Sequence, residues 1–214
     1  METAKIIDQL HQSWKTLMRS LSVEDSISEE IFELLVSHYE DAGRYYHDLR
    51  HIETVLEAIK SQKQNAVDFS SIQLAAWFHD IIYEKLGSES EAKSALLAAE
   101  LLGRAGLAED RIDAVVRMIR ATEIDHLPPE DMDSKILLDA DLATLGSETE
   151  VYDLNAARIR QEYAHILEPD YRIGRKRVLQ KFLDRERIFL TDEMYQLYES
   201  QARENIRREI ASLS

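Results

Sequence analysis

The sequence predicts an all-α protein, and three observations carry that reading. Six glycines and three prolines in 214 residues are too few turn residues for an all-β fold. Apolar residues recur at helical spacing almost throughout, with no strong alternating run to suggest a strand. A hydrophobic content of 44% is enough for a core and argues against disorder. There is no internal repeat, low-complexity tract or long linker, so residues 1–214 read as a single helical domain.

Ile6, Ile7, Leu10, Trp14, Leu17 and Met18 form the apolar stripe of a first helix. A second starts near Ser26 or Ser28, with Glu29 three after Ser26 as in a capping box, and Gly43 breaks the segment. Asp48 suits the cap of a third helix bearing His51, Ile52, Val55, Leu56 and Ile59. Residues 61–69 are polar and read as a loop. A central helix then runs from about Ser70 to Tyr83 and holds the apolar stretch Ala75-Ala76-Trp77-Phe78-His79-Asp80-Ile81-Ile82-Tyr83.

After a short polar linker with Gly87, an Ala- and Leu-rich helix over 89–102 stops at Gly103. Asp110 can cap a helix over 111–121, and Leu127-Pro128-Pro129 is a firm break. A helix from about Ser134 to Leu145 ends at Gly146. Ser147, with Glu150 three later, can cap a long helix to about Leu167. Pro169 and Gly174 punctuate the next turn, and helices over about 172–189 and 192–212 close the chain.

The net charge of −15 repels phosphate backbones and anionic lipid, so neither nucleic acid nor membrane is an expected partner. A small anionic substrate is still compatible if a metal or a few arginines invert the local field. The absence of cysteine removes disulfides, thiolate metal sites and Cys nucleophiles. Residues 1–8 lack the basic start and apolar run of a signal peptide, and no window approaches the roughly 20 apolar residues of a membrane span. A soluble cytoplasmic protein is expected.

The chemistry-bearing candidates are ionisable residues set in apolar helices. These are His51, the adjacent His79 and Asp80, and Asp139 and Asp141 within Ile136–Leu145. Burying such groups is costly unless a metal or hydrogen bonds satisfy them. Two imidazoles and one or two carboxylates from three helices make a mixed shell suited to a first-row divalent ion, with positions left for water and substrate. The alternative for each is an ordinary hydrogen-bonded core residue. Asp139 and Asp141 are two apart, so on a helix they point in nearly opposite directions.

His51, then His79-Asp80, then Asp141 resemble the H…HD…D signature of the HD superfamily of metal-dependent phosphohydrolases. The finer similarity is to a bacterial subgroup of predicted HD phosphohydrolases. It is carried by Tyr45-Tyr46-His47-Asp48-Leu49-Arg50-His51-Ile52, by Ala76 to Tyr83, and by Leu138-Asp139-Ala140-Asp141-Leu142-Ala143-Thr144-Leu145-Gly146. Arg160-Gln161-Glu162-Tyr163, Gly174-Arg175 and Ala202-Arg203-Glu204-Asn205 extend it, so that it spans roughly residues 38–210. One departure is Ser90-Glu91-Ala92-Lys93-Ser94-Ala95, where the subgroup shows a short Asn-Glu-Glu-like run and only Glu91 survives.

The resemblance implies an HD-domain helical bundle and a phosphohydrolase acting on a small phosphorylated molecule, a nucleotide being one such substrate. His51, His79, Asp80 and Asp141 would ligate the metal, and Asp80 could bridge a second ion. Mn, Fe, Ni, Co, Zn or Mg would serve, as one or two ions. A metal-acidified water would attack phosphorus in line, with a proton for the leaving oxygen from His47, His126 or water. Asp139 would be structural.

Arg160, Arg175 and Arg203 are candidate phosphate clamps, with salt bridges as their alternative, and Lys85 is a weaker candidate. Glu162 and Tyr163 would hold neighbouring side chains. Two rival functions share the scaffold: a di-iron oxygenase, which would need His126 and another histidine for a second shell, and a helical binding module without turnover. A homodimer is compatible with the sequence.

Overall fold

The computed structural model describes residues 2–84, 89–123 and 128–213. Among them the chain forms ten α-helices and no strand: α1 (Glu2–Ser20), α2 (Asp25–Tyr39), α3 (Leu49–Ser61), α4 (Phe69–Phe78), α5 (Ser90–Arg104), α6 (Glu109–Ala121), α7 (Met132–Leu142), α8 (Thr149–Glu162), α9 (Glu168–Asp184) and α10 (Asp192–Ser212). Short 3-10 turns at Lys63–Asn65 and Ala143–Gly146 follow α3 and α7.

α4 lies at the centre, because its sequence is apolar on every side. Ile72, Leu74, Ala75, Ala76, Trp77 and Phe78 are all inaccessible to solvent, and α3, α5, α6 and α7 pack around it. Trp14 of α1 meets Trp77 edge to face at 5.4 Å, a favourable aromatic arrangement. Its indole N–H donates to the Ser28 carbonyl at 2.9 Å. A second apolar cluster forms around Leu179, Ile188, Phe189, Met194 and Ile206, where α9 and α10 close over the end of α7. There Gly146 is obligatory, since a Cβ would lie 2.8–2.9 Å from Tyr198 backbone atoms.

Several helix ends differ from the sequence expectation, and each difference has a local cause. α4 stops at Phe78 rather than Tyr83 because Arg44 takes up the carbonyls beyond it. Its guanidinium donates to Asp80 O at 2.7 Å and Ile81 O at 2.8 Å, replacing the next helical turn. α5 runs through Gly103 to Arg104 and is closed two residues later by Gly106, whose φ of +77° suits glycine. Leu107 N–H then donates to Leu102 O and Gly106 N–H to Gly103 O, a Schellman closure.

α8 stops at Glu162 rather than near Leu167. Arg160 donates to Tyr163 O at 2.7 Å and Ile166 O at 3.2 Å. α9 starts at Glu168, with Pro169 in its first turn, a position where proline is pre-organised rather than disruptive. It ends at Asp184, where Arg203 donates to the carbonyls of Leu183, Arg185 and Glu186. The Ser26–Glu29 capping box does not form. Ser26 bonds Glu24, and Glu29 pairs with His11 and Lys15 of α1. Among the described residues no helix is long and apolar enough to cross a membrane.

Candidate metal centre

Three helices deliver four donor groups to one point. α3, capped by the Asp48 carboxylate accepting from Arg50 N–H at 2.8 Å, presents His51. The end of α4 presents His79 and Asp80, and the last turn of α7 presents Asp141. One donor atom from each lies within 4.8 Å of the others. His51 Nε2 is 3.2 Å from His79 Nε2 and 3.1 Å from Asp141 Oδ1. His79 Nε2 is 3.3 Å from Asp80 Oδ2 and 3.4 Å from Asp141 Oδ1.

These residues fit a divalent ion on two counts. Ligands held about 2.1 Å from one first-row ion sit about 3.0–3.4 Å from each other; the four spacings above fall in that range, and His51 Nε2 to Asp80 Oδ2, at 3.6 Å, lies just beyond it. His79 Nδ1–H also donates to the Ala76 carbonyl at 2.8 Å, which leaves the Nε2 lone pair facing the cluster, as metal-ligating histidines require. Both imidazoles are almost completely buried. The group could therefore hold a metal ion of the kind that accepts mixed nitrogen and oxygen donors.

The electrostatics say the same. Burial opposes every charge here, yet the imidazoles hold the Asp80 and Asp141 carboxyls far below their usual range. Against the same burial, the two carboxylates push His79 well above its ordinary value. Two ionised carboxylates, largely buried, call for compensating positive charge, which the imidazoles supply here and a divalent cation could supply in their place.

His47 sits beside the cluster but is not part of it. The loop before α3 wraps the Glu162 carboxylate. Oε1 accepts from the backbone N–H groups of Tyr45, Tyr46 and His47 at 2.8, 2.8 and 2.9 Å. Oε2 accepts from His47 Nδ1 at 2.7 Å and from the Tyr83 hydroxyl at 3.1 Å. Burial would raise this carboxyl, but His47 and the amides bring it down to about 2. Burial likewise opposes the His47 charge, and Glu162, with Asp80 and Asp141 beyond it, raises it overall. The His47 ring stacks on Tyr83 at 4.3 Å. Its Nδ1 is thus committed, and Nε2 is left for exchange on a ring that lines the pocket.

That pocket, of about 560 Å³, is lined by Asp80 and Asp141 of the cluster and by residues of α8 and α9. Among the three candidate clamps, only Arg175 lines it. Its guanidinium forms a two-point pair with Glu209 at 2.8 and 3.1 Å. Arg160 and Arg203 lie elsewhere. Arg160 also pairs with Glu168 at 3.0 Å and stacks on Tyr171, and Arg203 pairs with Glu199 at 2.7 Å. Their donors are spent on helix ends and carboxylates rather than on the pocket.

Asp139 points away, as the helical spacing predicts, and accepts from Leu190 N–H, Thr191 N–H and the Thr191 hydroxyl at 2.7 Å each. Glu91 does line the pocket. Burial, then the charges of Asp80, Glu123 and Asp141, raise its carboxyl. His126 and Lys85 lie outside the described residues.

Two residues went unnoticed in the sequence. Arg44 bonds His47 O as well as the α4 terminus and stacks over Tyr39 and Tyr83, so it ties the His47 loop to Asp80. Thr144 accepts or donates at 2.5 Å to the Tyr46 hydroxyl, tying the same loop to the turn after Asp141. Neither carries a sequence signal beyond its proximity to the motif.

No family model and no curated protein matches the chain. A solved structure similar to it is that of the Lin1889 protein from Listeria innocua. The two are 19% identical, with a TM-score of 0.52 over 85% of this chain and 93% of that one. At that identity the likeness establishes the fold alone, an all-helical chain of this arrangement, and the chemistry of the site rests on the residues described above.

Proposed function

We propose that the protein is a metal-dependent phosphohydrolase that cleaves a phosphate ester of a small molecule. The observation that carries this is the convergence of His51, His79, Asp80 and Asp141, two of which, Asp80 and Asp141, line a pocket of about 560 Å³, a size typical of small-molecule sites. When bound, a first-row divalent ion supplies Lewis acidity and a water acidified toward neutral pH.

The chain's own residues do the rest. His79 is oriented by the Ala76 carbonyl, and Asp80 is fixed through its backbone by Arg44. His47 protonates the leaving oxygen from Nε2, and Glu162 acts as its positioning residue by holding Nδ1–H. The raised basicity of His47 keeps that proton available near neutrality. The resemblance to HD phosphohydrolases over His51, His79-Asp80 and Asp141 supports the same reading.

The test is phosphate release from a panel of phosphate esters with added Mn, Co, Ni, Zn or Mg, against a chelated control. Metal-dependent release that disappears in Asp80→Ala is expected. No release with any ion would sink the proposal.

A further inference from the structure

We infer that the pocket selects phosphate monoesters of bulky, uncharged, largely apolar alcohols over nucleoside polyphosphates. This substrate class rests on the phosphohydrolase reading above. Two features of the lining point to it.

The first is charge. Among the described residues, Asp80, Glu84, Glu91, Asp141 and Asp170 line the pocket. The arginines there are Arg175, neutralised by Glu209 at 2.8 and 3.1 Å, and Arg185, stacked over the Phe182 ring at 4.9 Å. Arg203 is engaged outside it, and Arg160, behind the lining residues Tyr163, Ile166 and Tyr171, is committed to their carbonyls and ring and to Glu168. Sites for polyphosphates cradle each phosphoryl group with cations or helix-end amides. Here one phosphoryl group meets a cation at the His/Asp cluster beside His47; Glu84 is paired with Lys93 at 2.6 Å, and further phosphates would meet the carboxyls of Glu91 and Asp170.

The second is the apolar share of the lining. Leu142, Leu145, Ile159, Ile166 and Val178 line the pocket yet are only half-buried. Exposed apolar surface that gathers inside a concave site gains from being covered by apolar ligand. The phosphoryl end therefore sits at the cluster and the alcohol lies against these apolar side chains. In the reaction, water provides the oxygen of the new P–O bond and the ester P–O bond breaks. The leaving oxygen takes a proton from His47, giving the free alcohol and inorganic phosphate.

The experiment compares cyclohexylmethyl phosphate, glycerol 3-phosphate and ATP as substrates of the full chain with an added divalent ion. The first two are both primary alkyl esters, so leaving-group chemistry is nearly matched. Each buried methylene is worth about fourfold, so kcat/KM for cyclohexylmethyl phosphate should exceed that for glycerol 3-phosphate by about tenfold or more. ATP should be poorer still. Val178→Asp should bring the first ratio toward unity, while Val178→Ile keeps it. Calorimetry with cyclohexylmethylphosphonate gives a readout independent of turnover.

Preference for ATP or glycerol 3-phosphate overturns the substrate class and leaves hydrolysis standing. Phosphonate binding with no turnover of any ester rejects hydrolysis and retains the pocket's selectivity. Neither binding nor turnover overturns both.

Discussion

Replacing Glu162 by Gln changes a single charge on a carboxylate that five donors hold. Gln keeps an acceptor for the three backbone amides but turns an amide NH2 toward His47 Nδ1 and the Tyr83 hydroxyl. The carboxyl is lowered from an ordinary 4.5 to about 2. A depressed carboxyl contributes stability that is fully present above about 4.5 and is lost as pH falls through about 2. The gap is worth roughly 3 kcal/mol at neutral pH, at about 1.4 kcal/mol per pH unit. At pH 3 about half of that is left.

Urea denaturation of both proteins in excess chelator, from pH 7 down to pH 3, measures the difference directly. Glu162→Gln should be less stable by roughly 3 kcal/mol at pH 7, with the deficit shrinking as pH falls. A deficit below about 1 kcal/mol at pH 7, or one that does not change with pH, would refute the claim that this carboxylate anchors the His47 loop.

Other substitutions separate structural from functional roles. Arg160→Ala should lower stability by about 1–2 kcal/mol through lost helix-end bonds, with the Michaelis constant for phosphate esters unchanged; a raised constant would place Arg160 at the substrate after all. Arg175→Met should cost about 2–3 kcal/mol because it leaves the largely buried Glu209 with only the Tyr152 hydroxyl, whereas Arg172→Met, exposed on α9, should cost less than about 1 kcal/mol. Equal costs in denaturation would contradict the buried pairing. Gly146→Ala should destabilise by about 1–3 kcal/mol, since its Cβ collides with Tyr198 backbone atoms. A neutral thermal melt would show that α10 can move aside.

The cluster that could hold a metal was legible because His51, His79, Asp80 and Asp141 are polar residues in apolar helical surroundings, where only a strong partner makes burial tolerable. That Asp139 and Asp141 face opposite ways follows from positions two apart on a helix; which of them joins the cluster comes from the resemblance, in which Asp141 matches the motif. The arginines were not legible. Arg44, Arg160 and Arg203 each donate to main-chain carbonyls at the end of a helix. A sequence shows neither where a helix stops nor which distant guanidinium reaches it. The same gap explains the misplaced ends of α4, α8 and α9, since those arginines are what terminate the helices. Glu162 was expected to hold its neighbours, and it does. That its neighbours are the loop amides of Tyr45 to His47 follows only from the tertiary fold.

The central claim is that His51, His79, Asp80 and Asp141 bind a divalent ion. Titration of chelator-stripped protein with Mn, Co, Ni or Zn, read by calorimetry and by elemental analysis after desalting, tests it most directly. The account predicts that the wild-type chain retains a stoichiometric ion. It also predicts that His79→Ala and Asp141→Ala retain none, with their helical circular dichroism preserved. A wild-type chain that cannot be loaded with any of these ions, or an Asp141→Ala variant that loads as well as wild type, would contradict it.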